Sequence, residues 1–395
     1  MNASDSVVIT AIARTPMGGF QGALSTRSAS ELGATAIASA VNRSGLNPAE
    51  VGEVIMGNVL PAGQGQAPAR QAALAAGLPL SAACTTVNKM CGSGMKATML
   101  AHDILLSGSQ SVVVAGGMES MSNAPYLLPK ARSGYRMGHH TVQDHMFLDG
   151  LEDAYDKGQL MGSFAELCAE KYSFSREQQD EFAIASLERA SNAIEQGRFA
   201  KEISAVDCPQ KTGSISIDTD EQPGNARPDK IPLLRPAFKS DGSVTAANAS
   251  SISDGAAAMV LMRASTADAM GIAPLAKIVG HATHAHEPAW FTTAPVNAIR
   301  NLLQRINWSA DEVELFEINE AFAVVTMAAM QELNLPHETV NVNGGACALG
   351  HPIGASGARI LVTLLSALEQ RDERKGIAAL CIGGGEATAL AVERL

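Results

Sequence analysis

The sequence predicts an α/β protein built from two duplicated halves, with a long loop-rich insertion inside the first. Three observations carry this: an internal repeat, helices and strands that are apolar on nearly every side, and a central stretch dense in Gly, Pro and charge. The repeat runs through two separate segments. GLNPAEVGEVIMGNVLP at 45–61 aligns with NWSADEVELFEINEAFA at 307–323, where Leu46 matches Trp308, Val51 matches Val313 and Gly57 matches Asn319, an offset of 262 residues. GSGMKATMLAHDILLSGSQSVVVAGGMES at 92–120 aligns with ASGARILVTLLSALEQRDERKGIAALCIGGGEA at 355–387, an offset of 263 that widens through the polar RDERK run. Two segments repeating at nearly one offset mark two copies of one supersecondary unit.

In the first half, Met95 to Leu106 is a helix apolar almost all round, as expected between layers rather than at a surface. SVVVAGG after it is a short continuous apolar run, which predicts a strand covered on both faces. Residues 122–252 then change character. LLPKARSGYRMGHHTVQD and TDEQPGNARPDKIPLLRP read as long loops. One strong helix interrupts them: Ser175 is its N-cap with Gln178 three residues on, Phe182, Ile184, Leu187 and Ile194 keep apolar spacing, and Gly197 stops it. An insertion of this length with its own helix is expected to serve as a substrate lid. The second half repeats the pattern with a helix over Ala358 to Leu368 and the strand IAALCIGGG. The expected domains are 1–121 plus about 253–273, the inserted 122–252, and 274–395.

Composition sets the context. A length of 395 residues allows roughly two to three domains and a sizeable core, with 46% hydrophobic and 17% charged residues. The 29 Lys+Arg against 40 Asp+Glu give a net charge of -11, which argues against a general nucleic-acid or anionic-membrane surface. An anionic ligand would need a local basic patch. The N-terminal MNASDSVVITAIARTPMGG has no basic start followed by a long apolar run, and no stretch approaches the length of a membrane span. A cytoplasmic protein is expected. Cys84, Cys91, Cys168, Cys208, Cys347 and Cys381 show no CxxC pair and no Cys/His ligand spacing, so neither a zinc site nor a disulfide framework is indicated. The HATHAH run at 281–286 fits no strong ligand template and reads as loop residues or, secondarily, a weak metal-binding run.

Reduced thiols are then available for chemistry. NKMCGSG at 88–94 and CIGGGE at 381–386 put Cys91 and Cys381 beside glycines, and HPIG at 351–354 does the same for His351. Glycine leaves the neighbouring backbone N–H free and lets a substrate carbonyl approach closely. Two thiols and one imidazole at separated glycine turns are the parts for thioester exchange, one sulfur holding an acyl group and the other moving a proton.

NKMCGSGMKA, NASSISDGAAA, INEAFA, NGGACALGHPIGASGAR and CIGGGEATAL, in this order over nearly the whole chain, resemble the motifs of the thiolases. The resemblance implies two βαβαβαββ halves in a five-layered αβαβα arrangement, a loop domain inserted in the first half for lid, coenzyme A and oligomer contacts, and a homotetramer of tight dimers. It also implies roles. Cys91 matches the acyl-accepting nucleophile, at a helix N-terminus expected to lower its pKa. His351 matches the acceptor of its proton. Cys381 matches the base that removes the α-proton of acetyl-CoA, Asn319 the residue orienting an oxyanion-hole water with His351, and the N–H groups of Cys91 and Gly383 the second oxyanion hole.

Ser250 matches a pantetheine-contacting serine and Met161 the methionine that floors the acyl pocket, while Arg227 is the expected phosphate partner. The chain departs from pattern at Leu160, where the family commonly has His, and at Phe291, which stands where many relatives have Met and reshapes the acyl pocket. The implied activity joins two acetyl-CoA into acetoacetyl-CoA plus CoA, and runs in reverse, with no metal or cofactor. The alternatives are thiolytic cleavage of 3-ketoacyl-CoA over a wider chain length and, from a different class, a non-catalytic CoA- or lipid-binding protein. A decarboxylating condensing enzyme would lack Cys381.

Overall fold

The computed structural model describes residues 5–395. The first half runs β1 (Val7–Arg14), α1 (Ala29–Ser44), β2 (Glu53–Gly57), α2 (Pro68–Ala75), β3 (Ala83–Val87), α3 (Ser93–Ser107), β4 (Val112–Ser120) and, after the insertion, β5 (Ser253–Arg263). That order is βαβαβαββ. The second half runs β6 (Ala276–Ala285), α6 (Ala294–Ile306), β7 (Leu315–Ile318), α7 (Ala323–Leu333), α8 (Ile353–Arg371), β8 (Lys375–Ile382) and β9 (Glu386–Arg394), with α4 and α5 kept for the insertion. It repeats the first, except that its third strand shrinks to a single parallel bridge between Val340 and Phe316.

The strands follow the order β7-β8-β9-β6-β1-β5-β4-β2-β3. Strand β2 runs parallel to β3 and β4, β5 pairs antiparallel with both β4 and β1, and the two halves meet through only two register pairs, Val8 with Lys277 and Ile9 with Ala276. Three packed clusters show the layers. Leu32, Ile37 and Val41 of α1 pack on Val8, Val54, Val114 and Val260 at one outer face. Ile299 and Leu302 of α6 pack on Phe316, Ile377 and Ala389 at the other. Between them Met95, Met99, Leu361 and Leu364 of α3 and α8 pack on Ile9, Val113, Leu261, Leu380 and Val392. Helix, sheet, paired helices, sheet, helix is the αβαβα order, with β-branched and small apolar residues filling strands buried on both faces.

Helices α3 and α8 approach so closely that side chains are excluded. A Cβ on Gly94 would lie 2.7 Å from Ala358 N, and one on Gly357 would lie 2.4 Å from Met95 N. The GSG and ASG of the two repeats are therefore the contact points of the middle layer.

The insertion between Ser120 and Ser253 carries two two-stranded ribbons and two principal helices. Helix α5 (Arg176–Glu195) starts at the expected capping box: Gln178 N donates to Ser175 Oγ at 3.3 Å, and Ser175 N donates to the Gln178 side chain at 2.9 Å. A second helix, α4 (Met161–Tyr172), was not expected; Leu160 offers no capping side chain, and Phe164, Ala165 and Cys168 hold it by burial. HATHAH is also corrected, since its first five residues end strand β6 rather than lying in a loop. The insertion is tied to the core by Arg14 of β1, which bridges Glu202 at 2.5 Å and Asp220 at 2.7 Å with all three side chains buried. Among the described residues no helix is long and apolar enough to cross a membrane.

Candidate active site

Each reactive residue stands where a strand or loop gives way to a glycine turn. Met90 takes a left-handed backbone conformation, φ 47°, which turns the chain so that Cys91 sits just ahead of α3, whose N-cap is Gly92. Ser93 fixes the turn, accepting from Lys89 N at 2.8 Å and donating to Met90 O at 2.6 Å. Gly92 is required by a neighbour from the other half: a Cβ there would lie 2.4 Å from Ile382 Cδ1. The two cysteine loops are thus in direct contact, and the Lys89–Glu386 ion pair joins them again.

Cys381 is the penultimate residue of β8 and fully buried. The turn after it sends the N–H of Gly383 back to the Cys91 thiol, where it meets the N–H of Cys91 itself. Those are the two donors expected for one oxyanion hole. The expected lowering of the Cys91 pKa is not found. Burial pushes the thiol up to about 11, against the two N–H groups, and the buried Glu119 carboxylate adds to the rise. Cys381 is raised well above the ordinary thiol value, by burial and then by the charge of Cys91. Both sulfurs rest as neutral thiols at neutral pH.

His351 is buried just ahead of α8, its N–H donating to Ser251 O at 3.1 Å. Burial lowers its pKa to about 3, helped by the Arg359 guanidinium, so the imidazole is neutral. Its Nδ1 lies 2.5 Å from Ser356 Oγ, whose own proton goes to Pro352 O at 2.9 Å. Ser356 therefore accepts, Nδ1 carries the ring proton, and Nε2 is left as a buried base with no partner among the described residues. Asn319 follows β7 and is fully buried, and neither its Oδ1 nor its Nδ2 has a partner there. A buried amide with both ends unpaired is costly unless a ligand or water completes it.

The remaining expectations divide. Ser250 is half-buried beside the Asn319 loop, donating its N–H to Ala321 O at 3.0 Å. Met161 opens α4 with its sulfur 3.3 Å from where a Cβ on Gly383 would be. Phe291 is buried against Phe164 and Phe322 in the apolar cluster that also holds Cys381 and Met161. Arg227 is not brought in: it is exposed and its side chain makes no hydrogen bond or ion pair among the described residues.

Two supports were not singled out in the sequence, although Glu320 lies within INEAFA. Glu119, the first charged residue after the apolar run VVVAGGM, is fully buried and accepts from Val59 N and Gly354 N at 2.9 Å, Leu60 N at 3.2 Å and Asn58 Nδ2 at 2.7 Å. It pins the His351 turn to the loop after β2. Glu320 likewise accepts from Ser186 at 2.7 Å, Asn341 at 2.8 Å and Cys347 N at 3.0 Å, which joins the insertion to the Asn319 and HPIG loops.

Comparison with known proteins gives a consistent set of likenesses. The family model described as "Thiolase, N-terminal domain" matches residues 7–265, and "Thiolase, C-terminal domain" matches residues 272–394. Acetyl-CoA acetyltransferase 2 of Arabidopsis thaliana is 53% identical over 98% of this chain and 97% of its own length. The acetyl-CoA acetyltransferase of Pseudomonas aeruginosa is 50% identical over 98% and 99%. Among solved structures, the acetyl-CoA acetyltransferase of Bacillus anthracis superposes with a TM-score of 0.97 at 43% identity, covering 100% of both chains. A thiolase of Ascaris suum solved in complex with coenzyme A reaches 0.94 at 43% identity, over 99% of this chain and 100% of that one.

Proposed function

The chain belongs to the thiolase family, an acyltransferase family, and from that membership we propose that it is an acetyl-CoA C-acetyltransferase working through an acetyl-cysteine. The observation that carries the reading is the meeting of the two sulfur loops, with the N–H groups of Gly383 and Cys91 both directed at the Cys91 thiol.

In the first half-reaction Cys91 gives its proton to His351 Nε2 as its sulfur attacks the thioester carbonyl of acetyl-CoA. The oxyanion forms where the two N–H groups converge. With a thiol near 11 and an imidazole near 3, the transfer is driven by bond formation and not by a standing ion pair. The carbonyl re-forms, CoA leaves as a thiolate and takes the proton of Cys381, and the acetyl group stays on Cys91. In the second, the Cys381 thiolate removes the α-proton of another acetyl-CoA, whose enolate oxygen is held by His351 and a water on Asn319. The carbon attacks the acetyl-cysteine, acetoacetyl-CoA leaves, and Cys91 recovers its proton from His351. The Cys91 proton returns from His351, the original Cys381 proton leaves on CoA, and the α-proton replaces it on Cys381. Sulfur both attacks and departs readily, so the route needs no metal or redox cofactor.

Phe291, Phe322 and Met161 border Cys381, which favours a short acyl group. We further propose a cytoplasmic homotetramer. The edge of β3, unpaired among the described residues, and the exposed Leu128, Met137, Val142 and Tyr155 of the insertion support self-association. Light scattering on the purified chain tests assembly. CoA-dependent cleavage of a 3-ketoacyl-CoA series tests the activity: fastest cleavage of acetoacetyl-CoA supports the reading, and a preference for long chains replaces it with a broad 3-ketoacyl-CoA thiolase.

A further inference from the structure

Away from the reacting groups, two histidines and a carboxylate from opposite halves of the chain converge on one point. His102 and Asp103 lie near the C-terminal end of α3, roughly 14 Å along the helix from Ser93, and His281 lies in β6. His102 Nδ1 and His281 Nε2 each stand 3.0 Å from the same oxygen, Asp103 Oδ1. The donor atoms of all three residues lie within 4.8 Å of one another. The two rings meet edge to face, their centroids 5.1 Å apart.

The set has the properties of a ligand group and not of a chance surface cluster. Tetrahedral coordination at about 2.0–2.1 Å per bond puts neighbouring donor atoms roughly 3.3 Å apart, and the two nitrogen–oxygen separations are already close to this. The imidazoles are mostly covered, at 12% and 15% exposure, while the carboxylate is 53% exposed and free to adjust. His102 Nε2 and His281 Nδ1 make no hydrogen bond among the described residues, so these ring nitrogens are available to carry the proton while His102 Nδ1 and His281 Nε2 turn a lone pair inward. The Arg305 guanidinium is engaged by the backbone, donating to His281 O at 2.8 Å.

We propose that His102, Asp103 and His281 form a binding site for one borderline divalent transition ion such as zinc. Two nitrogens and one carboxylate oxygen, with a water completing the shell, suit that class better than calcium or magnesium, which take all-oxygen shells. The ion clips the C-terminal half of α3, the helix that follows Cys91, to the sheet of the other half. It is structural and takes no part in acyl transfer. The HATHAH run at 281–286, which fits no strong ligand template by its own spacing, supplies only His281 to this site; the other two ligands come from α3, and the acyl-transfer reaction involves none of the three.

The test uses the full chain, stripped with a chelator and titrated with Co2+ and then Zn2+. One equivalent per chain should bind, with cobalt d–d bands, no thiolate charge-transfer band, and a rise in Tm. His102→Ala, Asp103→Asn and His281→Ala should each weaken binding by more than the roughly 10–100-fold that loss of even an outer-shell partner costs, with acetoacetyl-CoA cleavage retained as proof of folding. His284→Ala should bind as the unaltered chain does. Binding that survives in a His102→Ala/His281→Ala double variant, a thiolate band, or no saturable binding at all would each overturn the proposal.

Discussion

Lys89 and Glu386, one two residues before Cys91 and the other at the start of β9, form an ion pair that locks the two cysteine loops together. The side chains are partly exposed, so the pair contributes under about 1 kcal/mol to stability. Its effect is expected on geometry, because a displacement of about 1 Å at reacting atoms costs up to 100-fold. Lys89→Met should lower the condensation rate by roughly 10-fold while leaving Tm nearly unchanged. Stopped-flow turnover alongside calorimetry checks it.

Ser356 holds the proton of His351 on Nδ1 and leaves Nε2 basic. Removing it with Ser356→Ala frees the ring to change tautomer and to rotate. The rate of Cys91 acetylation should fall by roughly 2- to 10-fold, the equivalent of about 0.5–1.5 kcal/mol for one neutral hydrogen bond. Single-turnover release of CoA measures that step, and an unaltered rate would separate Ser356 from the base.

Glu119, fully buried, satisfies three backbone N–H groups and the Asn58 amide. Burial raises its pKa to about 7. Glu119→Ala leaves those donors unpaired at about 1–3 kcal/mol each, so a loss of several degrees or more in Tm is expected, together with loosening of the His351 turn. Thermal unfolding of the two proteins at one concentration is the check.

His351 makes a signed prediction for acid. Its pKa falls from 6.5 to about 3 on folding, so between these values the unfolded chain binds the extra proton. The stability tied to the neutral ring is complete above about 6.5 and is lost as pH falls toward 3. At about pH 4.5 the loss amounts to roughly 2–3 kcal/mol. His351→Asn should lose less stability between about pH 7.5 and 4.5 than the unaltered chain by that amount, read from denaturant midpoints.

The candidate site formed by Cys91, Cys381 and His351 was legible in sequence because each of these residues sits beside glycine, a local signal. The two duplicated halves were legible through the repeat, and the five layers only through the motif resemblance; Gly94 and Gly357 explain why the repeat shows: the close crossing of α3 and α8 demands the same small residues in both halves. Glu119 and Ser356 were not legible, since a carboxylate ending a strand and a serine inside a helix declare their roles only once Gly354 N and His351 Nδ1 are brought to them. Helix α4 was missed because burial of Phe164 and Cys168, not a capping residue, holds it. The direction of the Cys91 pKa was misjudged for a related reason: the N-terminus of α3 is visible in sequence, whereas the desolvation that outweighs it belongs to the assembled site.

The division of labour between Cys91 and Cys381 is tested most directly by peptide mass spectrometry after brief treatment with acetyl-CoA, on the unaltered chain and on Cys381→Ser. The account predicts one acetyl group on Cys91 in both proteins, with acetoacetyl-CoA formed only by the unaltered chain. Acetyl found on Cys381, or a Cys381→Ser protein that cannot be acetylated, would contradict it.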